Sequence, residues 1–241
     1  MNGAQREAAN PDAEHHHEIA RMVLVEGRAT TWLNHWSLLH ADFDQLRKMD
    51  AVGVDGTLLQ MTLGRMGHPV VRSSADLVLP HVFNQMEAGA RVALIGAAPG
   101  VAERAAARLS AFEVMAVDGY AGLTGLRRSH ARLVDFDPRL VVVGLGAGLQ
   151  ELVAAKARGW LPRASVCTAG GWIDQFAASD QYFPDWVHRW RLGWAWRIAH
   201  EPRRLLGRYT VEAVDFLALA PRLVARLEDM GTFGEYGLIA R

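Results

Sequence analysis

Glycines that follow two apolar runs are the residues of this sequence whose spacing most clearly suggests chemistry. The stretch from Arg139 to Gly171 contains RLVVVGLGAGLQE and, further along, ASVCTAGG. A β-branched run that ends at glycine lets the backbone turn sharply and leaves amide N–H groups free at the next helix N-terminus, where a phosphate is readily held. The pattern indicates a nucleotide or sugar-nucleotide site.

A carboxylate follows another short apolar run. Asp55 and Gly56 come directly after AVGV, and a carboxylate just past a strand projects into the crevice where α/β proteins keep their sites. Asp55 is therefore a candidate general base. The alternative is an ordinary Asp-Gly turn, and the spacing alone does not decide between the two.

The elements that position these residues alternate between strands and helices. Val92 to Ile95 is apolar, Gly96 to Gly100 is rich in turn residues, and Val101 to Leu109 is alanine-rich and helical. Short apolar runs that alternate with helical segments predict βαβ units around a buried parallel sheet. We expect an α/β fold: a parallel sheet flanked by helices, Rossmann-like in its C-terminal half, followed by a C-terminal basic amphipathic helical region.

The composition excludes several classes of protein. The 241 residues are half apolar, which is enough for one large domain or two small ones with a proper core. Lysine plus arginine equals aspartate plus glutamate at 26 each, and this balance argues against a bulk nucleic-acid binder. Cys167 is the one cysteine, so an internal disulfide and a multi-cysteine zinc site are excluded. Its apolar surroundings predict a buried thiol in a reducing cytoplasm.

The N-terminus is polar, and residues 1–24 are interpreted as a flexible leader. The leader lacks the apolar core of a signal peptide, and no stretch of the chain reaches the roughly 18 to 20 apolar residues that span a bilayer. The run from His15 to His17 admits either a metal site or a solvated tail, and we assign it no role. Residues 25–184 are expected to form the α/β catalytic domain, and residues 185–241 a helical region rich in tryptophan and arginine.

The last third of the chain changes in composition. Residues 185–209 hold four of the eight tryptophans and six arginines but only two acids. In a helix, Trp186, Trp190 and Trp194 fall within one narrow sector with arginines on both sides. Indole rings at headgroup level and guanidinium groups on lipid phosphate suit an anionic membrane, but tryptophans packed on the protein body fit equally well. The closing segment predicts one more amphipathic helix, broken by Pro221.

Several segments carry a family resemblance when they are taken in order. These segments are TTWLN, the pair at Asp55, RSSADL, LIGAAPGVAE, DGY, VVVGLGAGLQE, AGGWIDQFA and WRIAHEPRRLLGRY. Together they resemble the WecG/TagA/CpsF glycosyltransferases, bacterial enzymes that extend lipid-linked sugars in surface-polysaccharide synthesis. The resemblance covers residues 28–209, and its GLG...QE and EPRR...RY elements are much more specific than a lone glycine-rich loop.

The resemblance implies an activity and roles for individual residues. The activity is an inverting, metal-independent transfer of a hexosyl or N-acetylhexosaminyl group from a UDP-sugar to a polyprenyl-diphosphate-linked saccharide, without a cofactor. Asp55 would deprotonate the acceptor hydroxyl, and Thr31 would assist in the pocket. The donor or its nucleotide would be bound by Gly144, Gly146, Gln150, Glu151 and Asp174. The acceptor diphosphate would meet Arg72, Arg203, Arg204 and Arg208.

The resemblance also implies where such an enzyme works. It would lie in the cytoplasm, peripheral on the inner face of the plasma membrane, with the UDP-sugar, the lipid-linked acceptor and the membrane surface as partners. Nucleic acid is not among them. A homo-oligomer is left open, because the tryptophans would serve a subunit contact as well as a membrane contact.

Departures from the family pattern leave the donor sugar and the acceptor sugar open. Asp118-Gly119, DQYFP at 180–184 and LGW at 192–194 stand where the family commonly has His-Gly, a basic Arg-Ala-Pro element and Leu-Glu-Trp. The donor sugar is therefore open between N-acetylmannosamine, its uronic acid and glucose.

Two other points stay open. Either Thr30 or Thr31 fits the position of the family's threonine. The alternative functions are a Rossmann dehydrogenase or methyltransferase, although the best glycine loop comes late and reads G-x-G-x-G, and a non-catalytic membrane-associated scaffold of the same fold.

Overall fold

The strands form one parallel sheet. A computed structural model describes residues 11–179, 193–200, 207, 209–231 and 233 of the chain. The strands in this part are, in chain order, β1 (Ala29–Leu33), β2 (Ala51–Val54), β3 (Arg91–Gly96), β4 (Glu113–Val117), β5 (Leu140–Gly144) and β6 (Ser165–Thr168). They lie in the order β2-β1-β6-β5-β3-β4, and every neighbouring pair is parallel. The predicted α/β fold with a parallel sheet is confirmed.

Helices connect the strands and cover both faces of the sheet. In chain order they are α1 (Pro11–Val23), α2 (His35–Leu39), α3 (Phe43–Leu46), α4 (Thr57–Arg65), α5 (Ala75–Gln85), α6 (Val101–Arg108), α7 (Ala121–Arg128), α8 (Ala131–Phe136), α9 (Leu149–Trp160), α10 (Trp172–Ala178), α11 (Gly193–His200) and α12 (Val211–Glu228). Because parallel strands need long crossovers, helices are the expected connections between them.

The core has two layers, one on each face of the sheet. Along β3, Ala93 and Ile95 point to one layer while Val92 and Leu94 point to the other. The first layer includes apolar residues of α2, α3, α4, α9 and α12, and the second those of α1, α5, α6 and α10. Strands that are buried on both faces read as continuous apolar runs, which is why the valine runs were recognisable. Cys167 is fully buried on β6, as its position predicted.

The polar leader contains a packed helix that the sequence analysis did not expect. Residues 11–23 form α1, which packs against α5. His16, Ile19, Ala20 and Val23 are buried, and their spacing of three and four residues places them on one helix face. Residues 11–23 of the expected flexible leader are therefore helical, and of the three histidines His16 is buried whereas His17 is exposed. Polar residues dominate the segment, but enough apolar ones share a face to bury it.

The C-terminal region contains helices α11 and α12, as the fold prediction required. The interpretation of residues 185–209 as a single helix with tryptophan on one face falls largely outside the described residues. Helix α12 runs through Pro221, where a break was expected. Its buried face, including Phe216 and Val224, packs on the body of the protein. This packing compensates for the helix hydrogen bond that is lost because proline has no backbone N–H. No helix in the described ranges is both long and apolar enough to cross a membrane.

Candidate active site

The carboxyl ends of the strands gather the residues singled out in the sequence. Asp55 follows β2, the loop from Gly144 to Gly148 follows β5, and Gly170 and Gly171 follow β6. Because all six strands are parallel, these segments lie along the same edge of the sheet. Ligands of open α/β sheets bind in the crevice outside this edge.

Two glycine-rich loops meet beside β3 and β5, where the order in which strands are added to the sheet reverses. They are the loop from Gly96 to Gly100 after β3 and the loop from Gly144 to Gly148 after β5. From β3 the chain moves outward to β4, then crosses back to β5 on the other side of β3. At this point Gly96 is paired in register with Gly144, and the Ala97 N–H donates to the Gly144 carbonyl oxygen at 3.2 Å. A reversal of this kind is where doubly wound sheets open their binding crevice.

A buried hydrogen-bond network joins three of the predicted site residues. The Thr31 hydroxyl donates to Oε1 of Glu151 at 2.9 Å. Since its one proton is then used, the Thr168 hydroxyl, 2.7 Å away, donates to Thr31. The side-chain nitrogen Nε2 of Gln150 also donates to Glu151 Oε1 at 2.9 Å. The backbone N–H of Gly148 donates to Glu151 Oε2 at 2.7 Å.

The network extends to the loop after β6. The Gly170 N–H donates to Oε1 of Gln150 at 3.2 Å. Thr31, Thr168, Glu151 and Gln150 are 0%, 1%, 2% and 4% exposed. The structure therefore brings Thr31, Gln150 and Glu151 together, but behind the crevice, with these polar groups bonded to one another.

Thr30 and Thr31, the two candidates for the family's threonine, lie on opposite faces of β1 and have different surroundings. Thr31 points to the side of α9 and joins Glu151. Thr30 is paired with Cys167 across the sheet, and its hydroxyl is buried without a hydrogen-bond partner in the described part of the chain. Of the two, Thr31 is the one connected to the glycine-rich loop.

Asp55 has a different environment. Its backbone N–H donates to the Leu33 carbonyl oxygen at 2.7 Å, which extends the pairing of β2 with β1. Its side chain is half-buried. Within the described ranges the carboxylate makes no hydrogen bond, so both oxygens retain their capacity to accept a proton or a hydrogen bond.

Arg72 lies beside the end of β2. It forms a parallel bridge with Val54, the residue before Asp55. One guanidinium nitrogen donates to Ser74 Oγ at 3.2 Å and lies 3.9 Å from Oδ2 of Asp76. Arg72 Nε and Asp76 Oδ2 are both buried without a hydrogen-bond partner among the residues described.

Helix α1 supports this arginine from behind. Nε2 of His16 lies 3.0 Å from the Arg72 carbonyl oxygen, and because a carbonyl only accepts, the imidazole N–H is the donor. His16, His17 and His81 of α5 have neighbouring rings. Burial lowers the pKa of His81, and the positive charges of His16 and His17 lower it further.

The described residues contain no cluster of three or more metal-ligating side chains.

The remaining predicted residues divide between the edge of the sheet and the undescribed segments. Gly146 is exposed with open space around its Cα, and Gly144 packs against Ile173. Asp174 lies exposed in the first turn of α10. The predicted acceptor-binding residues Arg203, Arg204 and Arg208 lie outside the described residues.

Two polar residues of this edge were not singled out from the sequence. Thr168 ends β6 and completes the Thr31 network; its place directly before a glycine pair was the available signal. Asp118, to which the sequence analysis assigned no role in the site, follows β4 and accepts from the N–H groups of Tyr120 at 2.8 Å and Gly122 at 3.0 Å. Asp118 therefore organises the start of α7.

The fold and the edge geometry define the class of protein first. An all-parallel sheet with glycine-rich loops at its carboxyl edge is typical of α/β proteins that bind nucleotides. A family model described as "Glycosyl transferase WecG/TagA/CpsF family" matches residues 9–229. The chain belongs to this family, which confirms the resemblance seen in the sequence. A comparison with curated proteins finds no match.

Family membership establishes the general activity. The protein is a glycosyltransferase of cell-surface polysaccharide biosynthesis, and its substrates are a nucleotide-sugar donor and a saccharide acceptor. This assignment favours sugar transfer over the dehydrogenase and methyltransferase alternatives.

Proposed function

We propose that the protein transfers a hexosyl or N-acetylhexosaminyl group, with inversion and without a metal ion, from a UDP-sugar to a polyprenyl-diphosphate-linked saccharide. The observation that carries this proposal is the Asp55 carboxylate. It is half-buried, it has no hydrogen-bond partner in the described ranges, and it follows β2 at the edge where the glycine-rich loops end. A general base needs these properties.

The proposed reaction has one chemical step. Asp55 accepts the proton of the acceptor hydroxyl while the hydroxyl oxygen attacks C1 of the donor sugar from the face opposite UDP. The bond from C1 to the phosphate oxygen breaks, and UDP leaves with the electron pair. Proton transfer to a positioned carboxylate typically contributes about 10²- to 10⁴-fold in rate.

The departing diphosphate needs positive charge and hydrogen-bond donors. We assign this role to backbone amides of residues 145–147, in the loop after β5, and to arginine side chains, because such groups stabilise developing charge without reorganising. Of the four arginines predicted to bind the acceptor diphosphate, Arg72 lies in the described part of the chain, beside the end of β2. Arg203, Arg204 and Arg208 remain predicted contacts of the acceptor diphosphate.

The donor side is proposed at the loops after β5 and β6. Gly146 leaves open space for a ligand to approach the backbone, and Asp174 lies exposed at the start of α10. Gln150 and Glu151 are buried behind this surface, so their contribution is through the loop. The sugar itself stays open between the three donors named above.

The acceptor lipid places the proposed enzyme at the inner face of the plasma membrane, as a cytoplasmic peripheral protein. The support is the composition of residues 185–209, where arginine and tryptophan dominate. Such a segment binds anionic headgroups through guanidinium groups and inserts indole rings at the interface. Contact between subunits through the same tryptophans remains the alternative use.

The test is a transfer assay with a panel of UDP-sugars, a short-chain polyprenyl-diphosphate sugar acceptor and a metal chelator. We compare the wild type with Asp55→Asn, which keeps the shape of the side chain but removes its basicity. Asp135→Asn is the matched control, because Asp135 is exposed on α8, which leads into the opposite edge of the sheet.

The expected result is chelator-resistant transfer that falls about 10²- to 10⁴-fold in Asp55→Asn and is unchanged in Asp135→Asn. Full activity of Asp55→Asn would remove Asp55 as the base. Activity abolished by the chelator would refute the metal-independent mechanism. A wild type that transfers no sugar from any donor would favour the non-catalytic scaffold.

A further inference from the structure

We propose that Glu151 is a positioning residue, a buried carboxylate that holds the donor-side loops in place without touching the substrate. The inference rests on the proposed function for its effect on donor binding. Its structural part concerns the loop from Gly144 to Gly148 and the turn at Gly170. These two segments follow neighbouring strands, β5 and β6.

The carboxylate connects three separate parts of the edge. Oε1 accepts from the Thr31 hydroxyl on β1 and from the Gln150 amide on α9. Oε2 accepts from the Gly148 N–H in the glycine-rich loop. Gln150 in turn accepts from the Gly170 N–H after β6. One side chain therefore sets the spacing between the end of β5, the start of α9 and the loop after β6.

A direct substrate contact is disfavoured by burial and by hydrogen-bond capacity. Glu151 is 2% exposed, and three protein donors already converge on its two oxygens. The partial positive charge of the α9 N-terminus adds favourable electrostatics for a carboxylate in the first turn. These interactions hold the side chain in one orientation, so its influence reaches the crevice through the loop that it fixes.

The network requires a group that only accepts. If Glu151 is replaced by glutamine, one oxygen becomes an NH₂ group that carries two donors. When that NH₂ faces Gly148, two donors oppose each other and the loop loses its bond. When it faces Gln150, the Gln150 amide must turn over and present its own NH₂ to the Gly170 N–H. Either arrangement breaks one connection to a donor-side loop.

The experiment combines amide hydrogen exchange with donor and acceptor kinetics on the full chain. The variants are Glu151→Gln, which is isosteric, and Thr31→Val, which removes a single donor from the network. Thr31→Ser is the conservative variant that keeps the hydroxyl. Ser165→Ala is the matched structural control, because Ser165 is fully buried at the start of β6, the strand that ends at Thr168, and its hydroxyl donates to the Val25 carbonyl oxygen.

We expect faster exchange in peptides covering residues 144–150 and 169–172 of Glu151→Gln and Thr31→Val. The KM for the UDP-sugar should rise about tenfold or more, as for loss of a hydrogen bond to a charged group, while the KM for the acceptor stays within about threefold. Thr31→Ser keeps the hydroxyl, so its exchange rates and its KM for the UDP-sugar should stay close to those of the wild type. Ser165→Ala should change neither quantity, even where it lowers thermal stability.

If the wild type transfers sugar, two results would overturn the inference. Faster exchange with an unchanged donor KM would make the network a purely structural one. A raised donor KM with unchanged exchange would mean that Glu151 contacts the donor itself. A wild type without transferase activity would refute the proposed function instead. In that case, unchanged exchange in both network variants would still overturn the inference, and faster exchange would support its structural part.

Discussion

Replacing Gly96 with alanine should strongly destabilise the protein, because this position has no room for a side chain. Gly96 ends β3 opposite Gly144 of β5, and its φ of +142° is one that residues with a side chain rarely adopt. An added Cβ would overlap the Gly144 carbonyl oxygen and lie 2.6 Å from its carbonyl carbon. Ordinary carbon contacts are about 3.5 to 4.0 Å.

The expected loss follows from three costs. The unfavourable φ costs about 1–3 kcal/mol for an ordinary residue. Relieving the overlap costs about 1–3 kcal/mol, because the obstacle is backbone in the centre of a sheet. Moving the Gly144 oxygen also weakens its hydrogen bond with the Ala97 N–H, worth about 1 kcal/mol. A total of about 3–7 kcal/mol is a large part of the 5–15 kcal/mol typical of a folded domain.

Urea unfolding of the wild type, Gly96→Ala and Gly125→Ala measures this effect. Gly125 lies in the middle of α7, and a Cβ there meets no atom within 4 Å, so alanine should stabilise the protein by about 0.5–1 kcal/mol. A loss below about 1 kcal/mol in Gly96→Ala would refute the close approach of β3 and β5 at the crevice.

Two further predictions concern pH. Burial raises the pKa of the Cys167 thiol from 9.0 to about 12; the unfolded chain therefore loses this proton first, and the free energy of unfolding should fall as the pH rises from about 9 towards 12. Cys167→Ala should show a shallower fall in alkaline urea titrations, and an equal slope would contradict burial of the thiol. The lowered pKa of His81 means that the unfolded chain takes up a proton first, so stability should fall as the pH drops below 6.5. His81→Gln should flatten this acid limb, and an unaltered limb would show that the histidine contact between α1 and α5 does not cause it.

Much of the architecture could be predicted because its signals are local. The valine run of β5 and the apolar run of β3 are recognisable since both faces of a central parallel strand are buried. Glycine after each strand marks a turn whatever the rest of the chain does. Helix α1 was missed because its histidines make the segment polar, and the burial of His16 depends on where α5 lies.

In the candidate site, too, some residues could be identified from local sequence and others only from tertiary contacts. Asp55 could be identified from its place after an apolar run, and the structure leaves its carboxylate without a partner among the described residues. Thr168 could not be connected with Thr31, because the two are 137 residues apart and become neighbours only when β6 pairs with β1. The roles of the individual side chains stay predictions.

The sequence by itself determined the α/β class, the family and the candidate residues of the site, including the proposed base. These follow from short-range patterns and from motifs in a recognisable order. Only the tertiary structure decided that Thr31, Gln150 and Glu151 form one buried network while Arg72 lies beside the end of β2. Strand order and side-chain burial result from packing between distant segments, and hydrogen-bond partners are chosen only once those segments are in contact.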